Sequence, residues 1–232
     1  MADALPSGDA PVLLLGVTPE LSEIVRPLIA MDWGWDMIGR AWVGNGPDRN
    51  VVCADWLTLP LDDHSVRAAI GDACLSILEY PLGLERLIEQ LCRAVVPGGR
   101  IVLRCFATGE PMPGRDAVRT MAMAGTLGFH QFKLMFNMAT VAESGSMNMA
   151  CPQLLESFNG WFSDRAALSR ASGWSLETIA EYDAYHSSPY VHCFPTRSQL
   201  TDLVPTDLPV RFVETCGYPG AEYCPLLIID LP

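Results

Sequence analysis

Val12-Leu13-Leu14-Leu15-Gly16-Val17-Thr18-Pro19-Glu20 is the stretch that decides how the rest of the chain is read. Four consecutive apolar residues without polar alternation describe a strand covered on both faces, as in a parallel sheet. Gly16 closes the run. Thr18 suits a helix cap and Pro19 the first helical position. Leu21, Ile24, Val25 and Leu28 then recur at helical spacing, with Pro27 ending or bending that helix.

Reading outward, the alternation continues. Leu28–Met31 is a short apolar run stopped by Asp32, followed by a short helix around Trp35–Trp42. Asn45-Gly46-Pro47-Asp48 is a turn cluster, Val51-Val52-Cys53 a third strand closed by Asp55, and Val66–Ile70 a fourth ending at Gly71-Asp72. The clearest helix is Leu82–Val96, where Leu84, Leu87, Ile88, Leu91, Cys92 and Val95 keep helical spacing until Pro97-Gly98-Gly99. Ile101-Val102-Leu103 is a fifth strand. Val210–Val213 and Leu226–Ile229 close the sequence as two strands around Gly217-Tyr218-Pro219-Gly220, an antiparallel hairpin. Strand–helix alternation with right-handed crossovers gives an α/β fold with a doubly wound, mostly parallel, seven-stranded, Rossmann-like sheet. Residues 107–197 break the pattern. They are rich in Met, aromatic and small residues and carry no strand signal, so they are expected to form a helical cap inserted within a single domain spanning 1–232.

Composition narrows the function classes. Half of the 232 residues are hydrophobic and 18% are charged, below the roughly 25% of ordinary soluble domains. That balance argues against disorder and leaves room for burial against a second copy or a protein partner. Fifteen Lys+Arg stand against 27 Asp+Glu, a net charge of −12, which argues against a nucleic-acid substrate. The apolar runs are strand length, too short to span a membrane, and Met1–Ala10 carries Asp3 and Asp9 without Lys or Arg, unlike a secretory signal. Cysteines at 53, 74, 92, 105, 151, 193, 216 and 224 contain no C-x-x-C pair. No metal site is therefore expected, and a reducing cytoplasm is the expected location.

In a doubly wound sheet a ligand lies beyond the carboxyl ends of the strands. Gly16, Asp32, Asp55 and Asp72 all occupy such ends. A glycine admits close backbone approach, an acid after the second strand accepts from ribose hydroxyls, and Asp55 beside the Trp56 ring suits an exocyclic amine. Together with Met31-Asp32, Met37, Cys53-Ala54-Asp55-Trp56, Gly71-Asp72-Ala73 and Pro97-Gly98-Gly99-Arg100-Ile101-Val102-Leu103, the opening stretch resembles class I S-adenosylmethionine-dependent methyltransferases over about residues 11–106 and the final hairpin. The resemblance implies S-adenosyl-L-methionine as cofactor. It puts the methionine part at Gly16, Val17 and Thr18, ribose at Asp32, and adenine against Met37, Asp55 and Trp56, with Asp72 and Ala73 near the methyl group. The family's G-x-G-x-G reads here as Gly16, Thr18 and Glu20, so two glycines are replaced.

The resemblance implies a methyltransferase acting on a small molecule. A non-catalytic methyltransferase-like subunit or interaction protein stays open beside it. The absence of G-x-G-x-x-G argues against a nicotinamide oxidoreductase, and no nucleophile motif is present. Ten residues precede Pro11, so closure of the pocket is expected from 107–197. Within that segment Tyr182, Tyr185, His186, Tyr190 and His192 cluster, and Tyr185 and His186 are the expected substrate contacts. His130 is expected to be a packed histidine, and Trp33, Trp35 and Trp42 core or interface aromatics.

Overall fold

Apolar strands with a period of two and a covering helix with a period of 3.6 account for the first half of the fold. A computed structural model describes residues 1–108, 112–214, 217–218 and 220–232. The chain runs β1 (Val12–Leu15), α1 (Pro19–Ser22), β2 (Leu28–Asp32), α2 (Trp35–Ala41), β3 (Arg49–Cys53), β4 (Val66–Asp72), α3 (Leu82–Ala94) and β5 (Val95–Arg104). It continues as α4 (Arg115–Met123), α5 (Phe129–Ser144), β6 (Asn148–Ala150), α6 (Cys151–Trp161), α7 (Arg165–Ser172), α8 (Leu176–Ala180), β7 (Val191–Cys193) and α9 (Arg197–Asp202). The last strands are β8 (Val210–Val213) and β9 (Leu226–Asp230).

Seven strands form one sheet in the order β3-β2-β1-β4-β5-β9-β8. The first five are parallel, β9 runs antiparallel to β5, and β8 pairs antiparallel with β9. The order reverses between β1 and β4, so the chain leaves these neighbours toward opposite edges and a crevice opens beyond their carboxyl ends. Side chains alternate between the two faces along each strand, and both faces are covered. Val12, Leu14, Ala30, Ile70 and Val102 pack on one face with α1 and α2 residues Leu21 and Ile38. Leu13, Leu15, Ala69, Ile101 and Leu103 pack on the other with Leu84, Leu87, Ile88 and Leu91 of α3. Helices therefore cover both faces of the sheet.

Three local expectations change. The first helix lasts one turn: the Arg26 guanidinium takes the Ser22 and Val25 carbonyls, and the missing Pro27 N–H removes a donor. Leu21, Ile24 and Val25 still pack on the sheet face. Pro97-Gly98-Gly99 lies inside β5 rather than before it, as an outward loop between Val95, which pairs with Val66, and Arg100, which pairs with Ala68. A Cβ at position 99 would come within 2.6 Å of the Arg67 carbonyl, so only glycine fits there. The turn expected at 217–220 includes Pro219, and Cys216 lies nearby; both fall outside the described residues.

The segment 107–197 is helical but also contains a small sheet, which corrects the expectation that it lacks strands. Asn148–Ala150 pairs antiparallel with Val191–Cys193, Met149 opposite His192. Each strand is three residues long, too short for alternation to show in sequence. The segment has its own core of Phe129, Phe132, Phe136, Phe158, Phe162 and Tyr182, in which Phe158 and Tyr182 stack at 4.1 Å between ring centroids. Asn148 and Tyr80 exchange two hydrogen bonds of 2.8 Å, tying this segment to the loop after β4. No helix among the described residues is long and apolar enough to cross a membrane.

Candidate functional site

The crevice predicted by the strand order is a cleft of about 450 Å³. Gly16, Val17, Thr18, Asp32, Met37, Trp56 and Asp72 all line it. Gly16 makes the floor possible. Its φ of +89° is strained for any residue with a Cβ, and its N–H donates to the Met31 carbonyl at 2.7 Å. The Trp56 indole N–H donates to the same carbonyl at 2.7 Å, fixing the ring as a buried wall.

Asp32 ends β2 with one carboxylate oxygen used and one spare. Oδ1 accepts the Gly34 N–H at 2.8 Å, and Oδ2 has no partner among the described residues. A Cβ on residue 16 would stand 3.9 Å from that oxygen, so Oδ2 sits directly beyond the glycine. Burial raises the Asp32 pKa above the ordinary carboxylate value, against the opposing Gly34 hydrogen bond. A buried acceptor oxygen without a donor suits a ligand hydroxyl pair.

The remaining expected residues divide. Asp55 opens onto an adjoining cavity of about 280 Å³ that shares Trp56, Ile77 and Tyr190 with the main cleft. Its Oδ1 caps the following turn by accepting the Leu57 N–H at 2.9 Å. Ala73 lines neither cavity; it sits in a left-handed turn and donates its N–H to the Arg104 carbonyl at 2.8 Å. Glu20 is exposed and outside the cleft lining, so its charge does not face the cleft. Asp72 is held by Arg104 through two bonds of 2.6 Å, which occupies both carboxylate oxygens.

The aromatic cluster in 107–197 also divides. Tyr190 lines both cavities, and its hydroxyl accepts the Trp33 indole N–H at 3.0 Å. Trp33 and Trp35 are exposed, by 50% and 73%, rather than core. A separate pocket of about 340 Å³ lies between the end of β5 and α5. Tyr185 lines this pocket, whereas His186 is exposed and lines none of these cavities, because the turn at 181–187 points it outward. His130 is exposed at this pocket's edge instead of packed in the core.

Two charged residues of this pocket, Lys133 and Arg104, escaped sequence reasoning as site residues, and His192 of the expected aromatic cluster lines it with them. The Lys133 ammonium lies 4.2 Å from the Tyr185 ring centroid. Asn137 holds the two tyrosines below it, donating to the Tyr185 hydroxyl at 3.2 Å and accepting from Tyr182. His192 is pushed down to about 4 by burial and by the Lys133 charge, against a Ser76 backbone bond, so its ring is neutral near pH 7. Its Nδ1 is buried without a partner among the described residues. The available signal was Lys133 itself, the chain's single lysine, set in an apolar helix. No cluster of His, Cys, Asp and Glu among the described residues is arranged to hold a metal.

No family model matches the chain, and no curated protein matches it. Solved structures do. A SAM-dependent methyltransferase from Methanosarcina mazei matches with a TM-score of 0.53 and 14% identity, over 97% of this chain and 94% of that one. The N-methyltransferase NodS from Bradyrhizobium japonicum, in complex with S-adenosyl-L-homocysteine, matches at 0.52 and 13%, over 99% and 79%. A structure from Rhodobacter sphaeroides described as a Zn-dependent alcohol dehydrogenase matches at 0.55 and 10%, over 97% and 84%. The likeness is one of fold. The sheet is the Rossmann-like sheet of SAM-dependent methyltransferases, and function must be argued from the cleft.

Proposed function

We propose that the chain is an S-adenosylmethionine-dependent methyltransferase acting on a small molecule, with the cofactor in the cleft beyond β1, β2 and β4. The observation that carries the reading is the spare Asp32 Oδ2 beside Gly16, in one cleft with Thr18, Met37 and Trp56. An adenosine fits this set: ribose hydroxyls donate to Asp32, the purine lies between Met37 and Trp56, and Asp55 accepts from the amine. Met37 is 46% exposed, apolar surface that a purine would cover. Gly16, Val17 and Thr18 follow the methionine part, and Asp72 bounds the methyl end.

The cofactor supplies a sulfonium methyl group whose transfer leaves a neutral thioether. The chain's contribution is alignment and exclusion of water. Residues 107–197 serve as the cap of a single domain, with Tyr190 closing the cleft against Trp33. Arg104 engages both carboxylate oxygens of Asp72, so Asp72 has a positioning role.

One observation favours the second reading, a non-catalytic methyltransferase-like subunit that binds a protein partner. Trp35 is 73% exposed on α2, outside the cleft lining. Calorimetric titration of the full chain with S-adenosylhomocysteine separates the two. Saturable binding at micromolar to low millimolar concentration is expected, and no heat at millimolar ligand would overturn the methyltransferase reading.

A further inference from the structure

We infer that the pocket between β5 and α5 binds a small aromatic carboxylate, with Lys133 as its charge partner and the Phe106, Tyr185 and Phe194 rings as its apolar wall. This names an acceptor class for the methyl transfer proposed above and rests on that reading.

Fifteen residues are Lys or Arg, and Lys133 is the one lysine among them. Arginine suits fixed ion pairs because its planar fork binds carboxylates in two places, as Arg104 binds Asp72. A lysine presents a compact charge with three donors. Those of Lys133 meet no hydrogen-bond or ion-pair partner among the described residues; they meet the faces of Tyr185 at 4.2 Å and Tyr182 at 5.3 Å. No Asp or Glu among the described residues lines the pocket. Exposed Glu181 and the Cys151 thiol act on Lys133 only through space, and burial lowers the Lys133 pKa. The ammonium is therefore partly stripped of water without an ion-pair partner among the described residues, in a protein of net charge −12.

The pocket's other charges do not change that account. Arg104 is neutralised by Asp72, and His192 is neutral near pH 7. One uncompensated positive charge suits a monoanion such as a carboxylate better than a phosphate dianion. The volume of about 340 Å³ is at the small end for ligand sites and fits a ring bearing an acid group.

The pocket also adjoins the cleft. Tyr190 lines the cleft and His192 lines the pocket, two positions apart, one just before β7 and one within it. Their spacing along the chain is roughly 6–7 Å. Asp72 and Arg104, directly paired across β4 and β5, join the same two cavities. A ligand anchored at Lys133 thus extends toward the methyl end of the cleft.

The single lysine makes the test direct. Full-length chain labelled with ε-carbon-13 lysine gives one protein lysine signal. It is titrated with phenylacetate, its neutral analogue phenylacetamide and inorganic phosphate, with and without S-adenosylhomocysteine. Phenylacetate is expected to shift the signal and raise the Lys133 pKa, because a nearby anion favours the charged ammonium. Phenylacetamide is expected to bind at least tenfold more weakly, and Lys133→Gln, its fold checked by circular dichroism, to lose at least tenfold in phenylacetate affinity. Equal binding of acid and amide, tighter binding of phosphate, or an unmoved signal overturns the inference. Binding of S-adenosylhomocysteine alone sinks this pocket assignment only. Binding of phenylacetate alone supports the acid site and removes its role in methyl transfer.

Discussion

The sheet and the 107–197 segment bury their apolar residues by different rules. In the sheet, aliphatic side chains alternate between two faces, and each position follows from its neighbour. In the helical segment, rings meet rings: Phe132 lies 5.3 Å from Phe162 edge to face, 5.6 Å from Phe136 and 5.0 Å from Trp174. The first rule fixes where strands end, so it places backbone and carboxylates with little help from particular side chains. The second holds a few chemical groups in place by the shape of rings. The Asp32 cleft belongs to the first rule, and the Lys133 pocket draws on the second.

The largest expected effect probes whether the two cores are separable. Phe132→Ala removes a fully buried ring and is expected to cost about 3–5 kcal/mol in denaturant unfolding. Hydrogen exchange should then show α5 losing protection while β1 and β4 keep theirs. Equal loss in both would make the molecule one cooperative unit and break the contrast.

Asp32→Asn sharpens the sheet side. S-adenosylhomocysteine affinity is expected to fall by about 1–3 kcal/mol, the range for hydrogen bonds involving a charged group. The free protein should move the other way. Burial raises the Asp32 pKa, so the folded state holds that proton to higher pH than the unfolded state. Ionising it therefore costs stability; the cost is absent below the unfolded pKa and complete above the folded one. The variant should melt higher than wild type at pH 7, and the gap should close as pH falls through that window. Unchanged affinity would place ribose recognition elsewhere.

Two smaller changes test the helical side. Tyr185→Phe deletes the hydroxyl that Asn137 bonds and is expected to cost about 1 kcal/mol of stability. His186→Ala, on an exposed turn, should lie within about 0.5 kcal/mol of wild type and leave ligand binding unmoved. A larger loss at His186 than at Tyr185 would reverse their assignments.

The sheet was readable because its signals repeat. Val12–Leu15 and the Leu84–Leu91 face carry the same message several times over, so the mostly parallel seven-stranded sheet and the closing hairpin followed. Gly16, Asp32 and Trp56 were readable as cleft residues because strand ends are ligand positions in such sheets. Ala73 was not, since adjacency in sequence to Asp72 says nothing of which way a left-handed turn faces. Lys133 and His192 lie on elements joined only in three dimensions, α5 and a three-residue strand, so no spacing in the chain links them. His186 was singled out for its company, and a seven-residue 3-10 helix put it in solvent while Tyr185 beside it faced the pocket.

The central claim is that the cleft beyond β1, β2 and β4 holds an adenosyl cofactor. A crystal structure of the full chain grown with S-adenosylhomocysteine tests it most directly. The account predicts ribose hydroxyls within hydrogen-bond reach of Asp32 Oδ2 and the purine between Met37 and Trp56. Ligand density in the Lys133 pocket instead, or an empty cleft at millimolar ligand, would contradict it.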